Sequence, residues 1–411
     1  MQCIKNNTIR IEKIFSLLIV LLPFLYQYKG YVYISLGELL LLPFIFYFFI
    51  NETKIKSYKY KSKEYLFYFY IIFSSSFCLL FEYFKINDAL TLSLRMVYYA
   101  LLLKEATCHF NWKSVSKIYE NIVFFFSLYL ILQVIYNNLT NRYLPIYIKY
   151  DWLFPPEQRA KDLIEYYRWS FRASSLFLEP SYYALYCMPF LCIKILKENK
   201  TIQDNIKLIV VTFANFLSGA NSGIIGIVIL FFYFIFYKLK KSKIGKLSYI
   251  VMFFLTISFI ILFYFWDFKS GGILERIQKG GSLNQRVIRG IIIFKELGLF
   301  HKIFGLGINN VEAYMLKNSI TTPFDELLLN YMCSFLQTLN FSGIVGFIFL
   351  LNYIFAIWKK IKNNLISRGI FLILIFIMSY EAILFSYRFA FLFIIMEAIS
   401  KRECSCILKD K

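Results

Sequence analysis

The chain reads as a ladder of apolar helices punctuated by lysine. Runs such as Leu66 to Phe84 and Tyr249 to Trp266 match the roughly 20 residues an α-helix needs to cross a bilayer. The pattern places spans near Ile14 to Tyr28, Tyr31 to Ile50, Tyr65 to Phe84, Ala89 to Leu103, Ile118 to Tyr136, Leu176 to Leu196, Ile206 to Leu217, Gly223 to Tyr237 and Tyr249 to Trp266. A second group follows near Glu326 to Trp358, Gly369 to Phe385 and Phe389 to Ile399. The stretch from Glu326 is read as one span preceded by a re-entrant or interfacial half-helix, because two full spans break the alternation of loops described next. The expected fold is all-α, one polytopic integral membrane domain over residues 1–411 with about 11–12 transmembrane helices.

Composition strengthens this reading: 59% of the 411 residues are apolar and the mean hydropathy is +0.58. The formal charge of +21 raises the possibility of a nucleic-acid partner, yet the basic residues fall in short clusters between apolar runs and no RNA- or DNA-binding module is visible. Topology explains the charge better. Lysine clusters around Lys5/Lys13, Lys54/Lys63, Lys104/Lys117, Lys194/Lys207, Lys238/Lys246 and Lys359/Lys362 fall on alternate loops. Short cytoplasmic loops carry the Lys and Arg excess, so both termini are expected in the cytoplasm. Two longer polar stretches, residues 138–174 and 267–325, then face outward, and they hold seven of the twelve arginines. The basic, apolar N-terminus has the outline of a signal peptide but no small-x-small cleavage site after Tyr28, so it reads as a retained helix. Eight scattered cysteines imply no disulfide framework. The two halves are not copies of each other, which weighs against a pseudo-symmetric transporter.

Candidate chemistry concentrates in a few strings. In Arg172 to Ala184, Pro180 favours a first helical turn and pushes Glu179 out of the helix. A helix N-terminus with free amides and a positive dipole end would open beside a carboxylate and a guanidinium, although a capped helix with an interfacial Arg/Glu pair fits equally well. Arg286 and Arg289 are three residues apart and share a helical face, an arrangement suited to phosphate oxygens. The alternative is an interfacial amphipathic helix with solvated arginines. Gly305 and Gly307, followed by Asn309, mark a tight turn, and a lone Gly-x-Gly is a weak phosphate signal. Leu217 to Gly223 forms a small-residue hairpin, read first as a site of close helix approach. Glu38, Arg95 and Glu381 lie within predicted spans, where charges are paired or functional, and pairing is the favoured reading. With only His109 and His301 present, a His-based metal site is not expected, and neither a Gly-x-Ser-x-Gly elbow nor a Walker motif occurs.

Taken together, the dozen helices, the first outer loop ending in Arg172 to Ala184, the Phe177-x-Glu179-Pro180-Ser181 string, the Ser-Gly hairpin and the outer loop with Arg286 and Gly305/Gly307 resemble the bacterial O-antigen polymerase family. These Wzy-type polysaccharide repeat-unit polymerases share a superfamily with the O-antigen ligases. The resemblance implies a glycosyltransferase of the bacterial plasma (inner) membrane that joins undecaprenyl-diphosphate-linked repeat units into O-antigen or capsular polysaccharide at the outer face. It implies Glu179, Arg172 and Arg286 as catalytic residues, with Arg289, Arg168, Arg95, Ser181, Gly305, Gly307 and Asn309 binding the lipid-linked substrate. No metal and no cofactor is implied. Membrane lipid, a chain-length regulator and a flippase are the implied partners. Two departures stand out: Asn221 replaces a basic residue carried by many relatives in the hairpin, and Thr321 to Asn330 lacks the histidine that marks the ligases. Ligase activity and, less favoured, lipid-linked oligosaccharide transport are the alternatives.

Overall fold

The computed structural model describes residues 2–31, 34–52, 63–81, 85–148, 171–241, 282–320 and 332–407. The expected span Tyr249 to Trp266 lies outside them, as does Arg168. Fourteen α-helices account for about 80% of the described residues. They are α1 (Gln2–Leu25), α2 (Leu36–Glu52), α3 (Lys63–Phe77), α4 (Ile86–His109), α5 (Trp112–Thr140), α6 (Pro180–Leu196), α7 (Ile202–Leu217) and α8 (Asn221–Lys241). After these come α9 (Ser282–Glu296), α10 (Leu299–Phe304), α11 (Val311–Lys317), α12 (Ser334–Ile361), α13 (Leu365–Tyr380) and α14 (Tyr387–Ile407). A short antiparallel hairpin, β1 (Lys29–Tyr31) with β2 (Ile34–Ser35), joins α1 to α2 and occupies the start of the expected second span.

Two helices form the centre. Helix α6 packs against α5, α7, α8, α13 and α14, and every residue from Tyr183 to Cys192 is buried. Helix α14 packs against α1, α4, α5, α6 and α13, and Phe389 to Ile395 are all buried. Over these stretches both are apolar on every side, the pattern of a helix enclosed by others. Aromatic rings fill the space between them: Tyr186 stacks on Phe391 at 5.4 Å, and the Tyr119 hydroxyl donates to the Tyr186 carbonyl at 2.6 Å.

The outer helices present apolar stripes away from this centre. On α12, Ile344, Ile348, Leu351 and Phe355 recur at helical spacing and are each about half exposed, as are Phe125, Leu128, Leu132 and Ile135 on α5. Water does not tolerate apolar faces of this length on an isolated domain. Among the described residues, three helices are long and apolar enough to cross a membrane: α5, α8 over Asn221–Leu239, and α12.

Lysine-bearing helix ends gather at one pole. His109 at the end of α4 contacts Glu12 of α1 at 3.1 Å and stacks on Phe48 of α2. Lys194 of α6 bridges Glu120 of α5 at 2.8 Å and Asp204 of α7 at 2.6 Å. Lys360 of α12 pairs with Glu397 of α14 at 2.7 Å. Asp204 also closes a reciprocal capping box with Thr201, and its hydrogen bonds from Lys194 and Lys197 hold its carboxyl well below the usual carboxylate range.

Helix α12 is kinked near its start, within the stretch where the sequence expects a half-helix ahead of a long apolar one; residues 326–331 of that stretch lie outside the described residues. Gly343 has φ +67° inside the helix and divides two turns of helix from the long segment that follows. Helix α13 ends at Tyr380, short of the expected Phe385, and residues 381–386 form a non-helical break before α14.

Candidate functional site

At the pole opposite the lysines, α6 begins at Pro180, as the sequence predicts, with Glu179 in an extended conformation (φ −136°, ψ 143°) just before it. Ser181 Oγ donates to Glu179 Oε2 at 3.2 Å. The approach to this helix is held by two buried carboxamides. Gln27, just past α1, donates to the Leu176 carbonyl at 2.6 Å and accepts from the Leu178 amide at 2.9 Å. Gln133 of α5 donates to the Ser175 carbonyl at 2.9 Å and accepts from the Ser175 amide at 2.8 Å. Each carboxamide thereby satisfies one buried donor and one buried acceptor of a segment that has no secondary structure of its own.

Beside Glu179, three further charges meet. Arg388, in the first turn of α14, donates Nη1 to Glu381 Oε2 and Nη2 to the Ala382 carbonyl at 3.3 Å, and its guanidinium lies 5.4 Å from the centre of the Tyr182 ring. Arg286 of α9 donates Nη1 to the Tyr380 carbonyl at 3.2 Å, while the same nitrogen stands 3.8 Å from Glu381 Oε1. Glu179 acts electrostatically on both guanidiniums. Burial pulls the Arg286 guanidinium below its ordinary value, against the opposing pull of Glu381 and Glu179. Two arginines and two carboxylates thus line one wall of charge at this pole, and their formal charges sum to zero.

The Glu381 backbone is fixed by Ser334, the first residue of α12. Ser334 N–H and Oγ both donate to the Glu381 carbonyl, at 3.0 and 2.7 Å, and the same hydroxyl accepts from the Ile383 and Leu384 amides at 2.9 and 3.3 Å. The neighbouring Cys333 amide donates to the Arg286 carbonyl at 3.3 Å, so α9 and the α13–α14 break are tied to the same helix start.

Other predicted residues take different places. Arg172 donates to the Gly219 carbonyl in the turn between α7 and α8, where Gly219 has φ +58°. Its anchoring partner is therefore the Ser-Gly hairpin. Arg289 is fully buried on α9, which removes the reading of that helix as an interfacial one with solvated arginines. Arg95 lies 3.6 Å from Glu38 Oε1, so the two charges are paired, the reading the sequence favours for them. Glu38 itself sits in the first turn of α2 and forms a reciprocal cap with Ser35, at 2.9 and 3.3 Å, while the Tyr99 hydroxyl donates to it at 2.6 Å.

Gly305 and Gly307 require correction. Their amides, and those of Leu306 and Ile308, donate to the His301, Asn340 and Phe341 carbonyls and to Ser75 Oγ at 2.8 to 3.0 Å, leaving none for a phosphate. A Cβ on Gly305 would stand 2.2 Å from the Phe341 carbonyl oxygen, and one on Gly343 would stand 2.2 Å from that of Ile303. The turn is a packing device that docks α10 on the kink of α12. Asn309, at φ +60°, completes the turn. His301 is buried beneath it, with Nδ1 3.1 Å from the Gly305 carbonyl, and burial lowers its imidazole below the ordinary range.

Arg388 is not among the residues the sequence singles out. Its one sign there is an arginine opening an apolar run seven residues after an acidic one, a pattern that also fits the ordinary edge of a span. No family model matches the chain, and no curated protein matches it. Among the described residues, no three His, Cys, Asp or Glu side chains gather into a group able to hold a metal ion. Chemically, the wall offers guanidiniums that can neutralise charge developing on a phosphate and a carboxylate, Glu179, placed to take a proton.

Proposed function

We propose that the chain is a polytopic glycosyltransferase of the bacterial plasma membrane that polymerises undecaprenyl-diphosphate-linked repeat units at the outer face. The observation that carries this reading is the convergence of Arg286, Arg388 and Glu179 at the pole opposite the lysine clusters. By the charge rule for loops, the lysine pole lies in the cytoplasm and the arginine wall faces outward, where lipid-linked repeat units are joined. The apolar stripes on α5 and α12 supply the lipid-facing surface.

In the reaction, an acceptor sugar hydroxyl on one lipid-linked unit attacks the anomeric carbon of the growing glycan. The bond from that carbon to the diphosphate oxygen breaks, its electron pair stays with the diphosphate, and the hydroxyl proton passes to Glu179. Arg286 offsets the charge that grows on the leaving diphosphate. Such a leaving group needs no nucleotide and no acid on the departing oxygen.

A gel of lipid-linked glycan from a strain lacking the gene, complemented with wild type, Arg286→Ala or Glu179→Gln at matched membrane levels, tests this. Single repeat units are expected in the deletion strain and with both variants. Long but unattached chains in the deletion strain would instead mark a ligase, and wild-type glycan from both variants would remove these residues from the reaction.

A further inference from the structure

The two oxygens of Glu381 are unequally engaged. Oε2 is in close contact with Arg388, whose other nitrogen is held by Ala382, whereas Oε1 stands 3.8 Å from Arg286, beyond hydrogen-bond length. The carboxylate cannot leave with its backbone, because Ser334 holds the Glu381 carbonyl through two hydrogen bonds. Its side chain is largely buried, where a lone charge is costly and a partner is required. A diphosphate approaching this neutral wall therefore meets a carboxylate already competing for the cation it needs.

We infer that Glu381 is an exchangeable counter-ion for Arg286, with Arg388 as the residue that holds it back. On arrival of a diphosphate group, Arg286 passes from Glu381 to phosphate oxygens, and Glu381 stays paired through Arg388. Arg388 is a positioning residue in this scheme: it sets how much of the Glu381 charge falls on Arg286. The inference rests on the reading that Arg286 contacts a diphosphate.

Binding of inorganic pyrophosphate and of farnesyl diphosphate to the purified full chain in phosphatidylcholine nanodiscs tests both levels. Glu381→Gln is expected to tighten binding about tenfold, the scale of one charge-assisted hydrogen bond. Arg388→Ala is expected to weaken it by about as much in the wild-type background, because Glu381 then closes on Arg286, and to have little effect in the Glu381→Gln background. A charge-sum effect instead gives the same loss from Arg388→Ala in both backgrounds, and a purely structural pair weakens binding with either substitution; each outcome overturns the exchange. Arg388→Lys, which keeps a cation on Glu381, should stay near wild type even where Arg388→Ala fails to fold, and a full loss with it also overturns the proposal. Unchanged binding by Arg286→Ala refutes the phosphate reading itself, independently of Glu381. Tighter binding of farnesyl diphosphate than pyrophosphate assigns the site to a lipid-linked source, and equal binding to free diphosphate.

Discussion

Gln27 and Gln133 show how much a single side chain decides at this pole. Each faces a backbone segment with one donor and one acceptor in register, so only a carboxamide satisfies both. Gln27→Glu keeps the size but opposes two acceptors at Leu176, and should cost about 1–3 kcal/mol, read as a lower unfolding temperature in detergent. Asp204 acts at the other pole. Its carboxyl is depressed by Lys194 and Lys197, so it contributes stability above the ordinary carboxylate pKa of about 4, which is lost as pH falls through its lower folded value. Asp204→Asn should therefore lower stability at pH 7 by roughly 1–3 kcal/mol and flatten the loss of stability on acidification below pH of about 4, measured by unfolding across a pH series. Neither glutamine was legible in the sequence, because an amide inside an apolar run carries no local signal of the loop it will meet. Glu179 was legible, since Pro180 dictates where the helix starts.

At the level of elements, uniform apolarity located the helices but not their ends. Ser35 and Glu38 form a capping box that starts α2 at Leu36, after a hairpin, where apolarity alone runs the span from Tyr31. No comparable sign ends α13. The chain leaves the helix at Glu381 without a glycine or proline because the Ser334 hydroxyl, distant in sequence, takes over its backbone groups. Ser334→Ala should destabilise the break by about 1–3 kcal/mol and speed hydrogen exchange at the Ile383 and Leu384 amides, while Ser334→Thr retains protection. The division of α12 into a short and a long part has its cause in the Gly343 kink, which lies in tertiary contact with α10 and leaves no local sign beyond a glycine.

For the molecule as a whole, the separation of lysine and arginine poles makes orientation testable. A fluorescent protein fused after Lys411 should fluoresce and alkaline phosphatase fused after Thr140 should be active; the reverse pattern would place the arginine wall in the cytoplasm and remove the proposed reaction from the outer face. The glycines that join α10 to α12 bear on how this architecture can change over time. Each Cβ would strike the main chain of the opposite partner, not a side chain that another substitution might shorten. No second change elsewhere makes room for the first, so Gly305 and Gly343 have no compensated mutational path between them. Lineages that keep this junction are confined to glycine at both positions, however far the surrounding sequence drifts.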